Sequence, residues 1–306
     1  MIVDCLTHIW SNPDQLGQGA RAYIARQGGR EDLSADAHSH EQASRCVWKA
    51  LVMGFCSVRL GAEVPNELIA EHVSRNSDRM IGIAAVDPAQ DEAVKVAEEL
   101  LERREFRGLT VSPCSQDFHP SDSRAMALYE LAQERGAPIF FCQGTHFQAQ
   151  ARLDYARPFL LDEVAREFPR LTIVISSLGH PWVEEGIALV GKHPRVFADV
   201  ASLLRRPWQA YNALVLAYQY RVMDKILFGS DFPYFTAAEA IDLDADRPGP
   251  DAGEAFRELL ADGTVTAAYV CDDDDTSALS TALFVRHALG TTPALVSVRT
   301  RSEDGL

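Results

Sequence analysis

The sequence has no CxxC pair and no dense cysteine framework. Its six cysteines, Cys5, Cys46, Cys56, Cys114, Cys142 and Cys271, are scattered along 306 residues. That spacing argues against a disulfide scaffold and fits a reducing compartment. The N-terminus lacks a basic segment followed by an apolar run, and no apolar stretch reaches the length a bilayer demands. The expectation is a cytoplasmic protein with no membrane span. Positive charge is scarce: 29 Lys and Arg stand against 44 Asp and Glu, for a net charge of −15. Such a chain repels phosphate backbones, so nucleic acid is not an expected partner, and the plain reading of the charge is solubility. No strand-like run leads into a GxGxxG or Walker-type loop, which weakens the case for a doubly wound open sheet. No cofactor is expected. Homo-oligomerisation is neither required nor excluded.

What is present is an ordinary globular composition, 47% hydrophobic and 24% charged, on a length that suits one large domain. Short apolar runs alternate with longer stretches of helical periodicity. The runs are 1–5, 49–55, 81–86, 108–111, 138–142, 171–176, 196–200 and 225–228. Helical patterns follow from Pro65, over 91–103, over 123–135 with Gly136 as a cap, and over 159–168, 183–190 and 208–220. A short helix is expected over 42–48. Strands alternating with helices imply crossover units and a parallel sheet, and eight such units favour closure into an α/β (β/α)8 TIM barrel. One domain over 1–306 is expected, with a polar excursion at 14–40 and an irregular acidic part at 236–306. That tail includes helices over 252–260 and 278–289. The run Asp272-Asp273-Asp274-Asp275 lacks the alternating ligands of a calcium loop and reads as a solvated acidic loop.

In such a barrel, chemistry gathers at the C-terminal ends of the strands. Those ends carry Asp4 and His8, Arg59, Asp87, Gln116 with His119, Cys142 with His146, Ser177 with His180, Asp199, and Ser230-Asp231. Singly, each is an ordinary hydrogen-bonding loop residue. Their recurrence at one end of successive strands argues for a shared cleft.

Several segments carry a more specific signal: Asp4-Cys-Leu-Thr-His8, Val64-Pro-Asn-Glu67, Gly82 through Pro88, Gly108 through Pro113, Pro138 through Gly144, Leu178-Gly-His-Pro-Trp-Val-Glu184 and Leu227-Phe-Gly-Ser-Asp-Phe-Pro233. In this order and spacing, over roughly residues 1–235, the chain resembles the amidohydrolase-related metal-dependent hydrolases and decarboxylases. The similar branch includes aminocarboxymuconate-semialdehyde and aromatic-acid decarboxylases. The resemblance implies a mononuclear metal site with His-x-His on the first strand, a His ending the fifth, a His ending the sixth and an Asp on the eighth. Carried onto this chain, those positions are Leu6 and His8, Cys142, Ser177 and Asp231. Only His8 and Asp231 keep the implied residue type. Leucine cannot ligate, serine is a poor zinc ligand, and cysteine replaces an imidazole.

The expectation is therefore a depleted site with no metal, in which Leu6, His8, Cys142, Ser177 and Asp231 converge. The alternative is a remodelled site that recruits His146 or His180, or one built from His8, Cys142 and Asp231. The candidate catalytic residues are Asp231, His8 and Cys142. His8 and Asp231 could form a metal-free acid–base dyad, and Cys142 could act as a nucleophile if its thiolate were stabilised. The candidate substrate-binding residues are Arg59 as a carboxylate clamp, His146, Ser177 and His180. The function the resemblance implies is hydrolysis or decarboxylation of a small carboxylate- or lactone-like compound. The competing reading is a barrel that has lost catalysis and serves in ligand binding or assembly.

Overall fold

The computed structural model describes residues 2–26, 33–143, 148–241, 267–271 and 295–299. In chain order the strands are β1 (Val3–His8), β2 (Lys49–Met53), β3 (Phe55–Ser57), β4 (Ala62–Val64), β5 (Met80–Ala85), β6 (Phe106–Val111), β7 (Ile139–Phe141), β8 (Ile173–Ile175), β9 (Val196–Asp199), β10 (Ile226–Leu227), β11 (Ala267–Cys271) and β12 (Leu295–Arg299). Eight of them form one parallel sheet in the order β1-β2-β5-β6-β7-β8-β9-β10. The two edges meet through backbone hydrogen bonds from Cys5 N to Phe228 O (2.9 Å), Asp231 N to Leu6 O (3.0 Å) and His8 N to Phe232 O (3.0 Å). The fold is thus the expected (β/α)8 barrel, and its closing seam runs beside the residues of chemical interest.

The helices are α1 (Ala20–Arg26), α2 (Ala37–Ala43), α3 (Asn66–Arg75), α4 (Ala93–Glu102), α5 (Pro113–Gln116), α6 (Ser123–Arg135), α7 (Leu161–Glu167), α8 (Val183–Lys192), α9 (Pro207–Gln219) and α10 (Ala237–Ile241). Their ends follow local chemistry. Asp122 caps α6 by accepting from Arg124 N, and Gly136 ends it at φ 64°, a conformation that costs glycine little. The short helix near residue 40 lies earlier than 42–48. Asp36 caps it by accepting from Ser39 N, and it stops at Ser44. The run 49–55 splits at Gly54 into β2 and β3, and β3 pairs with β4 as a small antiparallel ribbon. A Cβ on Gly54 would stand 2.7 Å from Ala85 N, so glycine is required where the two strands part. The expected helices at 252–260 and 278–289 and the acidic run 272–275 lie outside the described residues. β11 and β12 form a parallel pair that the sequence reading did not anticipate.

Two apolar layers hold the barrel. The larger lies between strands and helices, with Val52, Leu109, Ile139, Ile173 and Ile175 facing Val73, Leu128, Val164, Ile187 and Leu214. The smaller fills the barrel interior with Leu6, Met53, Ile83, Phe140, Val174 and Ala201, flanked by Leu51, Phe197 and Leu227. Strand side chains alternate between these layers. Two residues beyond the interior positions Leu6, Phe140, Val174 and Phe197 stand His8, Cys142, Ser176 and Asp199. The apolar plug thus becomes the floor of a polar cleft. Among the described residues, no helix is long and apolar enough to cross a membrane.

Candidate active site

The cleft holds about 1020 Å³ of space with its mouth included, and Leu6, His8, Cys142, Ser177, His180 and Asp231 all line it. His146 lies outside the described residues. Arg59 is a correction. It is half-exposed, faces Asp117 at 3.9 Å, and is absent from the cleft lining. It lies in the turn between β3 and β4. Asp87, Gln116 and His119 likewise serve local structure. Asp87 accepts from Val58 N and Ala89 N, Gln116 donates to the Cys56 and Val86 carbonyls, and His119 bonds Ser121.

Among the described residues, the arginines lining the cleft are Arg205 and Arg206, which sequence reasoning missed. They end a 3-10 turn, Ala201–Arg205, that runs on from β9 into α9. Asp199 anchors this turn, its Oδ1 accepting from Ser177 N at 2.9 Å and Ala201 N at 3.0 Å. Ser202 donates from its N and Oγ to Ser177 Oγ at 3.2 and 2.7 Å. Strand alternation makes Ser176, not Ser177, the inward continuation of β8. Ser177 reaches the cleft through a backbone in the left-handed region, φ 53° at Ser177 and 52° at Leu178. For non-glycine residues this is uncommon and clusters at functional sites.

Asp231 also has a left-handed backbone, φ 60°. Its Oδ2 accepts from Arg205 Nη2 at 2.8 Å, and both side chains are about nine-tenths buried. The Arg205 guanidinium stacks on Tyr234, 4.2 Å from the ring centre. Asp231 Oδ1 faces His8 Nε2 at 3.7 Å, too far for a direct hydrogen bond. Burial pushes the Asp231 carboxyl up to about 6 against the pull of Arg205. Burial, then the nearby Arg205 charge, lowers His8 to about 4, so its imidazole is neutral at physiological pH. Beneath them Asp199 rises to about 7 and Asp4 to about 6, both through burial. Cys142 shares a 3.5 Å contact with Thr110 Oγ1, and burial raises its thiol, which favours the protonated form over a nucleophilic thiolate. Among the described residues, both amide atoms of Gln143, buried at the cleft wall, lack a hydrogen-bond partner, as does Oε1 of Gln148. Buried polar atoms of this kind call for a ligand or water.

Among the described residues, the donor set does not fit a divalent metal. Leu6 offers no donor, Ser177 Oγ is engaged by Ser202, Cys142 favours its thiol form, and Asp231 is shared with a guanidinium. Among the described residues, no three His, Cys, Asp or Glu side chains gather as a cation site.

No curated protein matches the sequence. Among solved structures, an uncharacterised TIM-barrel protein of Bordetella bronchiseptica superposes with a TM-score of 0.65 at 21% identity, covering 86% of this chain and 99% of that one. A probable 2-pyrone-4,6-dicarboxylic acid hydrolase of Acinetobacter baumannii, with citric acid bound, gives 0.57 at 14% identity, covering 93% and 99%. The 5-carboxyvanillate decarboxylase of Sphingomonas paucimobilis gives 0.55 at 14%, covering 93% and 98%. At these identities the likeness is one of fold. The amidohydrolase family profile matches residues 3–269, most of the chain. Barrel, ordered strand-end motifs and profile agree, and the chain belongs to the amidohydrolase family.

Proposed function

We propose that the cleft binds a small monoanionic carboxylate, with a lactone-like ester as the group attacked, and hydrolyses it without a bound metal. The observation that carries this reading is the convergence of Arg205, Arg206, His8 and Asp231 on one cleft. Arg205 and Arg206 both line the cleft beside Asp231 and His8, and guanidinium groups in such a place favour an anionic ligand. Arg206 replaces Arg59 as the carboxylate clamp, since a guanidinium offers two parallel donors. The Gln143 amide and Gln148 Oε1, which have no partner among the described residues, supply polar contacts that orient the rest of the ligand.

In the proposed reaction a water lies against Asp231 Oδ1 and His8 Nε2. Asp231 takes its proton as the water oxygen bonds to the ester carbonyl carbon. The carbonyl electron pair moves onto its oxygen, stabilised by guanidinium N–H groups. Collapse breaks the bond to the ester oxygen, which leaves with the proton held by Asp231. A carboxyl raised to about 6 is ionised yet basic near neutral pH, as a general base requires. The profile match and the hydrolase and decarboxylase neighbours support a small-carboxylate enzyme class. A barrel without catalysis gains no support from a cleft that keeps these groups together.

The test is a panel of carboxylated lactones and aromatic monocarboxylic acids, with products followed by mass spectrometry and binding by calorimetry. Turnover is expected to rise with pH through about 6 as Asp231 ionises. Arg206→Gln should weaken binding about tenfold or more, and Asp231→Asn should abolish turnover while ligand still binds. If no panel member binds or reacts at millimolar concentration, the reading is wrong.

A further inference from the structure

Asp231 already has a cation. Arg205 Nη2 holds its Oδ2 at 2.8 Å, in a pair about nine-tenths buried, and Tyr234 packs against the guanidinium face. The turn that presents Arg205 is fixed at its start by Asp199 and Ser177, so the charge is held in place by the fold. We propose that Arg205 is the resident cation of this cleft, a permanent charge that neutralises Asp231 and repels a divalent ion from the barrel mouth.

The exclusion has two parts. The first is the lack of donors at Leu6 and Ser177. The second is electrostatic: an ion on Asp231 Oδ1 would sit one carboxylate away from a fixed positive charge that cannot lose its proton. Restoring imidazoles alone should therefore fail. This separates Arg205 from a merely structural ion pair, which would leave metal affinity untouched.

The experiment reads zinc content by elemental mass spectrometry after equilibration with zinc chloride and desalting. It needs no substrate, so its outcome is independent of the carboxylate reading. Wild type should retain less than about a tenth of an equivalent, against full occupancy for a complete four-ligand site. The triple variant Leu6→His, Cys142→His, Ser177→His should stay metal-poor, and the same triple with Arg205→Gln should approach one equivalent. Near-stoichiometric zinc in wild type overturns the proposal, as does equal loading of the triple and quadruple variants. Should the multiple variants misfold, two single variants carry the test. Arg205→Gln should raise zinc affinity about tenfold over wild type by removing the repulsive charge, and Arg205→Lys should not. Equal affinity in wild type and Arg205→Gln would refute the idea.

Discussion

The two sides of β1 hold histidines that are neutral for different ends. On the inner side, His8 stands partly buried at the cleft wall, 3.7 Å from a carboxylate oxygen and bonded to neither oxygen of Asp231. On the outer side, Thr7 opens a sealed chain of hydrogen bonds. Thr7 Oγ1 donates to Leu51 O at 2.7 Å and meets His40 Nε2 at 2.8 Å, and His40 Nδ1 meets His72 Nε2 at 2.9 Å. Because the Thr7 proton points at a carbonyl, His40 Nε2–H must donate to Thr7. His40 Nδ1 is then bare and accepts from His72 Nε2–H. His40 and His72 are almost wholly buried. A neutral histidine is thus committed when both ring nitrogens are bonded, and available when one faces an open polar gap.

The largest expected effect comes from the pair that defines the inner side. Asp231→Ala removes the carboxylate partner of a buried guanidinium and should cost about 3–5 kcal/mol in urea unfolding. A cost under about 1 kcal/mol would class the pair with solvent-screened surface bridges and blur the contrast. Next comes the outer chain. His40→Ala empties a packed site and strands Thr7 and His72, for an expected ~2–4 kcal/mol. His8→Ala should cost clearly less while impairing ligand turnover. Equal destabilisation by the two would break the distinction between committed and available rings.

Acidity sharpens it further. Burial, then the His72, His8 and Arg79 charges, lower His40 to about 3, and His8 lies at about 4. Lowered folded values mean stability that is full above about 6.5 and lost as pH falls toward 4 and 3. Asp4 and Asp231 at about 6 and Asp199 at about 7 have the opposite sign. Their contribution is full below about 4 and lost as pH rises to 6–7. In a Tm series from pH 4 to 8, His40→Asn should flatten the acid limb and Asp199→Asn should reduce the decline between pH 4 and 7. A parallel shift of the whole curve in either variant would contradict the assignment. The smallest effect belongs to Arg59→Ala, which should change stability by no more than about 0.5 kcal/mol and leave ligand affinity unchanged. Loss of binding in that variant would return the clamp to Arg59.

Much of this was legible in the sequence, for definite reasons. Apolar runs bounded by turn residues located the barrel strands, and the two-residue period of β1 put Leu6 and His8 on one side. Asp231, Cys142 and Ser177 were expected from their motifs, and all three line the cleft. Arg205 and Arg206 escaped because they stand past a 3-10 turn, six and seven residues beyond Asp199, where alternation along a strand no longer speaks. Arg59 misled for the converse reason: it follows an apolar run, but that run bends away at Gly54 into a ribbon of its own. The His40–His72 pair joins residues 32 apart through packing that no local pattern encodes.

The barrel's last seam also forms part of its cleft. The hydrogen bond from Asp231 N to Leu6 O that helps close the sheet is made by the residue whose carboxylate faces His8. A chain folded only through β9 would have most of the cleft wall and no Asp231 opposite His8. Binding of the proposed carboxylate at this cleft would therefore report ring closure, the most sequence-distant step of folding. In refolding from urea, the return of binding should trail the return of helical signal, and N-terminal fragments ending before β10 should be helical yet blind to ligand.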